Sequence, residues 1–549
     1  MTVELQGGAN VVTSPSTTQA VPRCTLCPAG CELRVAAAGP DVVRSDYAVR
    51  PAYGPCARGS TLGELIGHPR RIRRPAKRTG GRWAPLSMRE ASRAILEAAG
   101  DRRIAILLDG NLPIEQLAAA AICCERWERA SLSLVVEPTD RELLIGLDAG
   151  GATYLAEDDL ASCDGFLMIG DVFAADPRLA KGLLDRRAEQ PRTPIAAIDP
   201  GGGSASKFAS HAVATTADGQ RATLAAVAAT AGLDTQDAAG PDAQRAGTAL
   251  AGCKRLGVLM TAEHGRTTEW RAMGRLAAEL ATRRGGGVLA APAGANALAA
   301  VRLEAQLGTV PLAEVLAAED TLCVAVGCDV LGMLGWPDGT ATCFAAAAAL
   351  PNATTDAATI VLPVAMSVEL GGTWLLSGER RVRTEPLLAP PAGVPAPAEV
   401  IAALAAADGV PATTEPVEAP LPQRRRGDKE PAAPHPAPRG APVLVLARSP
   451  VHAGAGEWTG HGSWQQALAG VPELRIAPSD ARQMNVANLA AATVRVGERS
   501  ATVRVRTAPE LAPGTVALAD GYAECRALLP GRVEDGRIVC EPQTASVSC

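Results

Sequence analysis

The stretch CTLCPAGCELRV, residues 24–35, contains Cys24, Cys27 and Cys31, and the later stretch YGPCARGS adds Cys56. Three thiols therefore fall within eight residues, and the fourth follows after a gap of 24 residues. Thiolates that lie close together repel each other and are costly to desolvate, so a compact set usually holds a soft metal centre. Two close pairs would be typical of a zinc ribbon. Three close ligands and one remote ligand favour a [4Fe-4S] cluster, with structural zinc or no metal as the alternatives.

The composition of the whole chain indicates how many domains, which partners and which cellular compartment to expect. A chain of 549 residues is too long for one core and predicts three or four domains. A net charge of -5 gives no reason to expect nucleic acid or an anionic membrane surface as a partner. The N-terminal residues contain no apolar signal core, and no stretch of the chain is apolar enough to span a bilayer. With 14 cysteines in such a chain, we expect a reducing cytoplasm and free thiols apart from the metal set.

The pattern along the chain predicts an α/β fold in several parts. Apolar runs such as RIAILLDG and RLGVLMTAE alternate with helical stretches, which indicates parallel sheets. After a segment rich in Pro, Ala and charge, short alternating runs such as ATVRVGE indicate a β-barrel. The predicted parts are a disordered N-terminus (1–22), a cysteine module (23–80), two α/β domains (81–245 and 246–405), a linker (406–441) and a barrel (442–549). The cysteine module is thin in apolar residues, so metal binding would supply much of its folding energy.

The order of these parts, together with CTLCPAGCELRV and the later GPCARGS, resembles the molybdopterin oxidoreductase superfamily. The resemblance covers most of residues 23–535. It implies a small N-terminal Fe-S module, two Rossmann-like α/β units and a C-terminal barrel of the double-psi type. It also implies that Arg58, two places after the last cysteine, lies between the cluster and a pterin, or between the cluster and its surroundings, and takes part in electron transfer.

Two further segments are similar to the places where members of that superfamily hold a nucleotide. DGFLMIGDVFAADP contains Gly170 and Asp171 after an apolar run, and AAIDPGGGSAS contains Asp199 and Pro200 in the same position. Glycines let backbone N–H groups approach a phosphate near the start of a helix. Such turns also simply end strands, so nucleotide contact and a purely structural turn both stay open.

A segment near residue 370 resembles the large iron-sulfur subunit of NADH-quinone oxidoreductase and the B subunits of formylmethanofuran dehydrogenases. The matching residues are Glu369, Gly372, Thr373, Trp374 and Arg380. Leu376 stands where those proteins usually have Asn.

Catalytic members of the superfamily present Cys, selenocysteine, Ser or Asp to molybdenum roughly 100 residues after the cluster. Here Cys123 and Cys124 fall within a predicted helix, and the following loop offers Glu137, Thr139 and Asp140. Asp140 stays open as a carboxylate ligand, but we expect that the active metal has been lost and that the chain holds one cluster only. Cys323, Cys328 and Cys343 are interpreted as core residues, with metal binding or redox use as the alternative. The other cysteines show no spacing that indicates a site.

The sequence therefore predicts an electron-transfer subunit of a cytoplasmic oxidoreductase complex that relays single electrons through one [4Fe-4S] cluster. Flavin- and NADH-binding and quinone-site subunits are the expected partners, and they would provide any attachment to the inner membrane. The alternative is a catalytic oxidoreductase with a molybdopterin guanine dinucleotide cofactor carrying molybdenum or tungsten, acting on formate or a formyl compound. A zinc-stabilised scaffold without redox activity is a third possibility.

Overall fold

The computed structural model describes residues 21–39, 42–47, 56–234, 240–265, 267–336, 343–411, 417–424, 442–534, 537–540 and 543–548. The predicted disordered N-terminus lies outside these ranges except for its last two residues, and so does most of the predicted linker.

The strands in chain order are β1 (Leu33–Gly39), β2 (Val42–Tyr47), β3 (Ala76–Thr79), β4 (Arg82–Pro85), β5 (Arg103–Asp109), β6 (Ala130–Val135), β7 (Gly165–Ile169), β8 (Ile195–Ile198), β9 (His211–Val213), β10 (Leu256–Met260), β11 (Gly287–Ala290), β12 (Thr321–Val326), β13 (Cys343–Ala348), β14 (Ile360–Pro363), β15 (Gly372–Leu376), β16 (Arg380–Thr384), β17 (Val443–Ala447), β18 (Glu473–Ile476), β19 (Ala491–Val496), β20 (Arg499–Thr507), β21 (Thr515–Ala519), β22 (Arg532–Glu534), β23 (Arg537–Val539), β24 (Gln543–Thr544) and β25 (Ser546–Ser548).

The α-helices in chain order are α1 (Ala57–Ser60), α2 (Leu62–Ile66), α3 (Met88–Ala99), α4 (Ile114–Arg126), α5 (Pro138–Ala149), α6 (Val172–Ala175), α7 (Arg178–Glu189), α8 (Ser204–Phe208), α9 (Gln220–Thr230), α10 (Pro241–Ala251), α11 (Thr267–Arg283), α12 (Ala297–Leu303), α13 (Leu312–Ala317), α14 (Val330–Leu334), α15 (Ala353–Ala357), α16 (Pro397–Ala407), α17 (Ser463–Ala469), α18 (Pro478–Gln483) and α19 (Ala523–Arg526). Short 3-10 helices cover Glu157–Ser162, Ser367–Glu369, Ser377–Glu379 and Thr459–His461.

Two sheets form the α/β part of the molecule. A seven-stranded sheet has the order β4-β3-β14-β13-β12-β5-β6, and a five-stranded sheet has the order β11-β10-β7-β8-β9. The five-stranded sheet is parallel throughout, and the larger sheet is parallel except for β3 and β4 at one edge. The predicted apolar runs form these strands because a parallel sheet is buried on both faces, which requires continuous apolar sequence.

The two sheets do not divide at the predicted boundary between residues 245 and 246. β5 pairs with β12, and β7 pairs with β10, so each sheet draws strands from both sides of that boundary. The five-stranded sheet is instead inserted into the chain between β6 and β12. Residues of both sheets also share one hydrophobic cluster, in which α5 packs against α11. A β-carbon at Gly146 on α5 would lie 2.1 Å from the Arg271 carbonyl oxygen on α11, so close helix packing requires glycine there.

The end of the cysteine module also differs from the prediction. β3 and β4 form a hairpin that turns at Gly80, and β3 pairs with β14, so the predicted boundary at residue 80 cuts through a hairpin of the large sheet. The helix predicted after this segment is confirmed as α3. Its predicted N-cap, Ser87, accepts a hydrogen bond from the Glu90 backbone N–H, and the Glu90 side chain accepts one from the Ser87 N–H in return.

The C-terminal part is a curled sheet with the order β24-β17-β21-β18-β20-β19-β25. Only Ala545 separates β24 from β25, and these two short strands pair with opposite edges of the sheet. A single segment thus joins the two edges, as expected of a sheet that closes on itself. None of the helices in the described ranges is long and apolar enough to cross a membrane.

Candidate functional site

Three of the predicted ligands lie on one tight loop. The Cys24 N–H donates to the Cys31 carbonyl oxygen (2.8 Å), and the Gly30 N–H donates to the Cys27 carbonyl oxygen (3.3 Å). Gly30 has a φ of +57°, which lets the chain reverse direction between the second and third cysteines. Cys24 and Cys27 are buried and Cys31 is partly buried.

The fourth predicted ligand, Cys56, lies at the start of α1. Its Sγ atom accepts a hydrogen bond from the Gly59 N–H (3.4 Å), so the thiol caps the helix. The following helix α2 packs on the loop, because Leu62, Leu65 and Ile66 share a buried cluster with Cys24. The structure therefore brings the remote cysteine to the loop that carries the other three.

The pKa values of the thiols show that the cysteines lie near one another and are largely buried. Burial raises the pKa of Cys24 well above its usual value, and the nearby charges of Cys27, Cys31 and Cys56 raise it further. Burial likewise raises the pKa of Cys27 to about 12 and that of Cys31 to about 11. Four thiolates in this environment are unfavourable without a compensating cation. All four cysteines are free of disulfide bonds.

The donor set fits an iron-sulfur cluster in its chemistry. Within the described ranges, no group of three or more His, Cys, Asp or Glu side chains converges closely enough to bind a single metal ion. One zinc ion needs four ligands at about 2.0–2.3 Å from a common centre. In a cubane each thiolate binds a different iron, so its sulfurs do not have to meet at one point. The cluster itself stays a prediction.

Arg58 links the cysteine module to the five-stranded sheet. It is 4% exposed, and its Nη2 atom donates to the carbonyl oxygens of Ala174 and Ala175, each at 2.7 Å. These carbonyls end α6, where a cation is favourable. The same guanidinium partly offsets the rise in the Cys27 pKa that burial and Asp176 cause, and it adds to the lowering of the His452 pKa that burial causes. Arg58 thus lies near the thiols, α6 and the barrel, and its role in electron transfer stays a prediction.

Gly170, Asp171, Asp199 and Pro200 follow the neighbouring strands β7 and β8, and the two carboxylates lie together. Asp171 accepts hydrogen bonds from the N–H groups of Ser204 (3.0 Å) and Ala205 (3.3 Å) at the start of α8. Asp199 accepts from the N–H groups of the glycine loop before that helix, at 2.6–2.9 Å. Burial and the charge of Asp171 raise the pKa of Asp199 to about 6.

These contacts bear on the predicted nucleotide site. The N–H groups that would hold a phosphate at the start of a helix are already taken by carboxylates. A nucleotide at this place would therefore have to present hydrogen-bond donors, such as ribose hydroxyl or base amino groups, to Asp171 and Asp199. Nucleotide binding by the four residues stays a prediction.

A cavity of about 100 Å³ that no sequence pattern predicts lies beside the cysteine loop. The carboxyl ends of β5, β6 and β12, the barrel loop 453–458 and Leu26 line it. Ligands of α/β proteins commonly bind at such strand ends. Asp109 at the end of β5 and Glu457 in the barrel loop both line the cavity, and burial raises the pKa of each carboxyl to about 7.

Asn111 connects this cavity to the cysteine loop. Its Nδ2 atom donates to the Thr25 carbonyl oxygen (2.9 Å), and its backbone N–H donates to the Asp109 carboxylate (2.8 Å). The Asn111 Oδ1 atom accepts from the Asn296 N–H (3.0 Å). The end of β5 thereby fixes the backbone between the first two cysteines.

The sequence predicts a loop at Glu137, Thr139 and Asp140, but the structure places Glu137 at the start of α5 and the other two residues in its first turn. Glu137 and Asp140 line the same cavity, and their carboxylates are already bonded. Glu137 accepts hydrogen bonds from His264 (3.0 Å) and from Arg526 (2.7 Å). Asp140 accepts from Arg448 (2.6 Å) and from the Ala293 N–H. Cys123 and Cys124 lie within α4, as predicted.

His264 carries a proton on each ring nitrogen, because both nitrogens face acceptors. Nδ1 lies 3.0 Å from the Glu137 carboxylate and Nε2 lies 3.1 Å from the Leu529 carbonyl oxygen. Burial opposes this charge, but Cys540 and Glu137 outweigh it and raise the pKa of His264 to about 10. Arg526 and His264 in turn hold the pKa of Glu137 well below its usual value, despite its burial. The position predicted for a metal ligand is therefore occupied by a network of ion pairs.

These contacts test whether a molybdopterin cofactor fits. Both carboxylates at the predicted ligand position are neutralised by cationic side chains. The cavity volume of about 100 Å³ is below the 300–1,000 Å³ of typical cofactor pockets. The residues around this cavity do not fit a metal-bearing pterin without rearrangement.

The segment around residue 370 supports the cysteine loop. The Ser377 N–H donates to the Pro28 carbonyl oxygen (3.1 Å), which ties the end of β15 to that loop. Glu369 forms a fully buried ion pair with Arg71. Thr373 donates to Glu115 at the start of α4 (2.6 Å).

No protein-family model matches the chain, and no curated protein matches it. Among solved structures, acetylene hydratase from Pelobacter acetylenicus is similar, with a TM-score of 0.61 and 11% identity over 96% of this chain and 100% of that chain. A chain of the formyltransferase/hydrolase complex (FhcABCD) from Methylorubrum extorquens gives a TM-score of 0.45 and 19% identity over 60% of this chain and 98% of that one.

The likeness to acetylene hydratase concerns the fold alone at this identity. It agrees with the mixed α/β architecture that the sequence predicts. The likeness to the formyltransferase/hydrolase chain is too low to carry an argument. Neither bears on the predicted resemblance to the large subunit of NADH-quinone oxidoreductase.

Proposed function

We propose that this chain is an electron-transfer subunit that holds one [4Fe-4S] cluster on Cys24, Cys27, Cys31 and Cys56. The observation that carries the proposal is that these four thiols, one of them from a separate helix, lie near enough to influence each other electrostatically in surroundings that disfavour free thiolates. When bound, such a cluster supplies reversible one-electron transfer.

The chain's own residues have defined tasks in this proposal. The four thiolates ligate iron, and the apolar cluster around Leu62 and Leu65 excludes water from one side of the loop. Arg58 places a fixed positive charge beside Cys27, which stabilises additional negative charge on reduction. Flavin, NADH and quinone chemistry would belong to partner subunits in a cytoplasmic complex.

A catalytic molybdenum or tungsten oxidoreductase acting on formate or a formyl compound is the second candidate. The cavity at the strand ends next to the cysteine loop favours it. Two observations weigh against it: Glu137 and Asp140 are each already ion-paired with an arginine, and the cavity is small. We therefore favour the electron-transfer function.

Anaerobic purification followed by metal analysis and low-temperature EPR tests the proposal. We expect about four irons per chain and an EPR signal after dithionite reduction, as one cubane requires. Substitution of Ser for any of the four cysteines should abolish that signal, whereas Cys123→Ser on α4 should preserve it. Iron-free protein, or one zinc per chain, would refute the relay. About one molybdenum or tungsten per chain would favour the second candidate.

A further inference from the structure

An exposed apolar surface lies directly over the helix that begins at Cys56. Trp464, Leu468 and Val471, on and just after α17, are 45%, 60% and 45% exposed. Trp464 and Leu468 are four residues apart and so share one face of α17. Large apolar side chains grouped on a surface mark interaction sites more often than isolated ones do.

The neighbouring face of α17, which carries Gln465, is fixed to the cysteine module. Gln465 is fully buried, and its Nε2 atom donates to the Thr61 hydroxyl (2.6 Å) and to the Ala57 carbonyl oxygen (3.3 Å). Ala57 is the residue after Cys56. The Ser463 N–H donates to Glu64 on α2 (2.7 Å). A partner that contacts Trp464 is therefore separated from the fourth thiol by one short helix.

Positive charge borders this apolar surface. The His68 and His461 rings lie 5.4 Å apart, and His461 is three residues before Trp464. Arg70 is exposed and acts electrostatically on both histidines, so its guanidinium lies beside this surface. Of the six Arg and Lys residues in 68–78, Arg70, Arg73 and Arg74 are exposed, whereas Arg71 is buried in its ion pair with Glu369. Burial lowers the pKa values of His68 and His461, so the positive charge of this border comes from arginine. Glu64 and Asp356 are the anionic groups that also face these histidines.

We propose that the surface formed by Arg70, Trp464, Leu468 and Val471, here called the Trp464 face, docks an acidic one-electron carrier protein of the ferredoxin type. An apolar centre with an aromatic anchor and a charged border is typical of a protein interface, and opposite charge speeds encounter. The positive charge of Arg70 favours an acidic partner. The contact of α17 with the helix that follows Cys56 favours a partner that exchanges electrons. One electron leaves the reduced carrier and one enters the four-cysteine centre, with no bond made or broken.

This inference rests on the proposed function, but its test separates the two. The probe is a plant-type [2Fe-2S] ferredoxin, with affinity measured by calorimetry and electron transfer measured by anaerobic stopped flow. The variant is Arg70→Glu combined with Trp464→Ser. The matched control is Arg192→Glu with Leu184→Gln, an exposed cation and a 50% exposed leucine that belong to the five-stranded sheet and its helix α7.

We expect the docking variant to bind ferredoxin at least about tenfold more weakly and to accept electrons about tenfold more slowly, because steering and anchoring are both lost. The control should match the wild type, and raising the ionic strength from about 0.02 M to 0.5 M should slow the wild type far more than the docking variant. Iron content should be equal in all three proteins. Binding that depends on the Trp464 face in a protein without iron would leave the docking site standing and refute the relay.

If the docking variant and the control both contain iron and bind ferredoxin with equal affinity, the docking site is refuted and the electron-transfer function stands. Absence of ferredoxin binding to the wild type would also refute the docking site. Concentration-dependent dimerisation that the docking variant abolishes, measured by sedimentation, would assign the Trp464 face to a second copy of the chain instead.

Discussion

Gly30 lies against the side chain of Leu376. A β-carbon at Gly30 would stand 2.3 Å from Leu376 Cδ1, and Gly30 has a φ of +57°. Leu376 ends β15, and the next residue donates to Pro28 in the same loop. The loop between the second and third cysteines thus takes its shape from a strand about 350 residues further along the chain.

Gly30→Ala should therefore disrupt the cysteine loop. We expect loss of most of the iron and a lower melting temperature, because the new methyl group must displace either Leu376 or the loop. Gly80→Ala is the matched control: Gly80 also has a φ of +57°, but a β-carbon there would have no atom within 4 Å. That control should cost only the backbone strain of about 1–2 kcal/mol.

The double variant Gly30→Ala/Leu376→Ala should recover part of the lost iron, since it removes the collision and retains the strain. Iron content in Gly30→Ala equal to that in Gly80→Ala would show that the contact with Leu376 does not control the loop.

Arg58 should set the redox potential of the four-cysteine centre. Arg58→Gln removes a buried cation beside Cys27, and reduction adds negative charge there. We expect a midpoint potential lower by about 60 mV, which corresponds to a tenfold change in a one-electron equilibrium. Potentiometric titration monitored by EPR measures this shift. Arg192→Gln, at an exposed position, is the control and should leave the potential unchanged. An unchanged potential in Arg58→Gln would show that Arg58 does not set the potential.

The fold could be predicted from the sequence where burial leaves a local pattern. RIAILLDG and RLGVLMTAE form β5 and β10 as expected, because both faces of a parallel strand are apolar. CFAAAAAL carries no comparable signal for β13, since alanine has a low preference for strands and the run owes its conformation to its neighbours β12 and β14. The insertion of one sheet within the other depends on long-range pairing, which no local pattern encodes.

For the candidate site, too, the features with a local sequence pattern could be predicted and the long-range contacts could not. The four cysteines can be found by spacing, because metal ligation constrains residue type and separation together. The contact of Arg58 with Ala174 and the pair between Glu137 and Arg526 join residues 116 and 389 positions apart, and nothing in either neighbourhood signals the partner. The glycine loop after β8 and the residues Asp171 and Asp199 are visible in the sequence, but the hydrogen bonds by which these carboxylates take up the N–H groups of the loop and of α8 are not.

Asp109 should make the stability of the protein depend on pH. Burial raises its pKa in the folded chain to about 7, whereas the unfolded value is about 3.9. The ionised form is therefore disfavoured by folding, and stability falls as the pH rises from about 4 to 7. Asp109→Asn keeps an oxygen for the Asn111 N–H and removes the charge.

Relative to the wild type, Asp109→Asn should gain about 2 kcal/mol between pH 5 and pH 8. Anaerobic urea unfolding at the two pH values measures this gain. Asp185→Asn, at a half-exposed position on α7, should give no such gain. Parallel pH profiles for wild type and Asp109→Asn would contradict the assigned pKa.

Arg526 should be among the most sensitive positions for stability. It is fully buried, donates to Glu137 (2.7 Å) and pairs through two atoms with Asp520 (2.8 Å each). Arg526→Leu leaves Asp520 buried without its ion-pair partner and leaves Glu137 with His264 as its remaining ion-pair partner. Breaking such buried pairs typically costs about 3–5 kcal/mol. Arg506→Leu is the control, because its pair with Glu473 is exposed and worth at most about 1 kcal/mol.

The loss in Arg526→Leu should also shrink in acid. In the wild type Arg526 holds the pKa values of Glu137 and Asp520 below their usual range, despite their burial. In the variant the buried carboxylates lose that cation, so their pKa values rise, they take up protons as the pH falls from 7 to 4, and the cost of unpaired charge is relieved. Urea unfolding at pH 7 and pH 4 should therefore give a clearly smaller difference from the wild type at pH 4. A difference that stays constant would mean that lost packing, rather than unpaired charge, destabilises the variant.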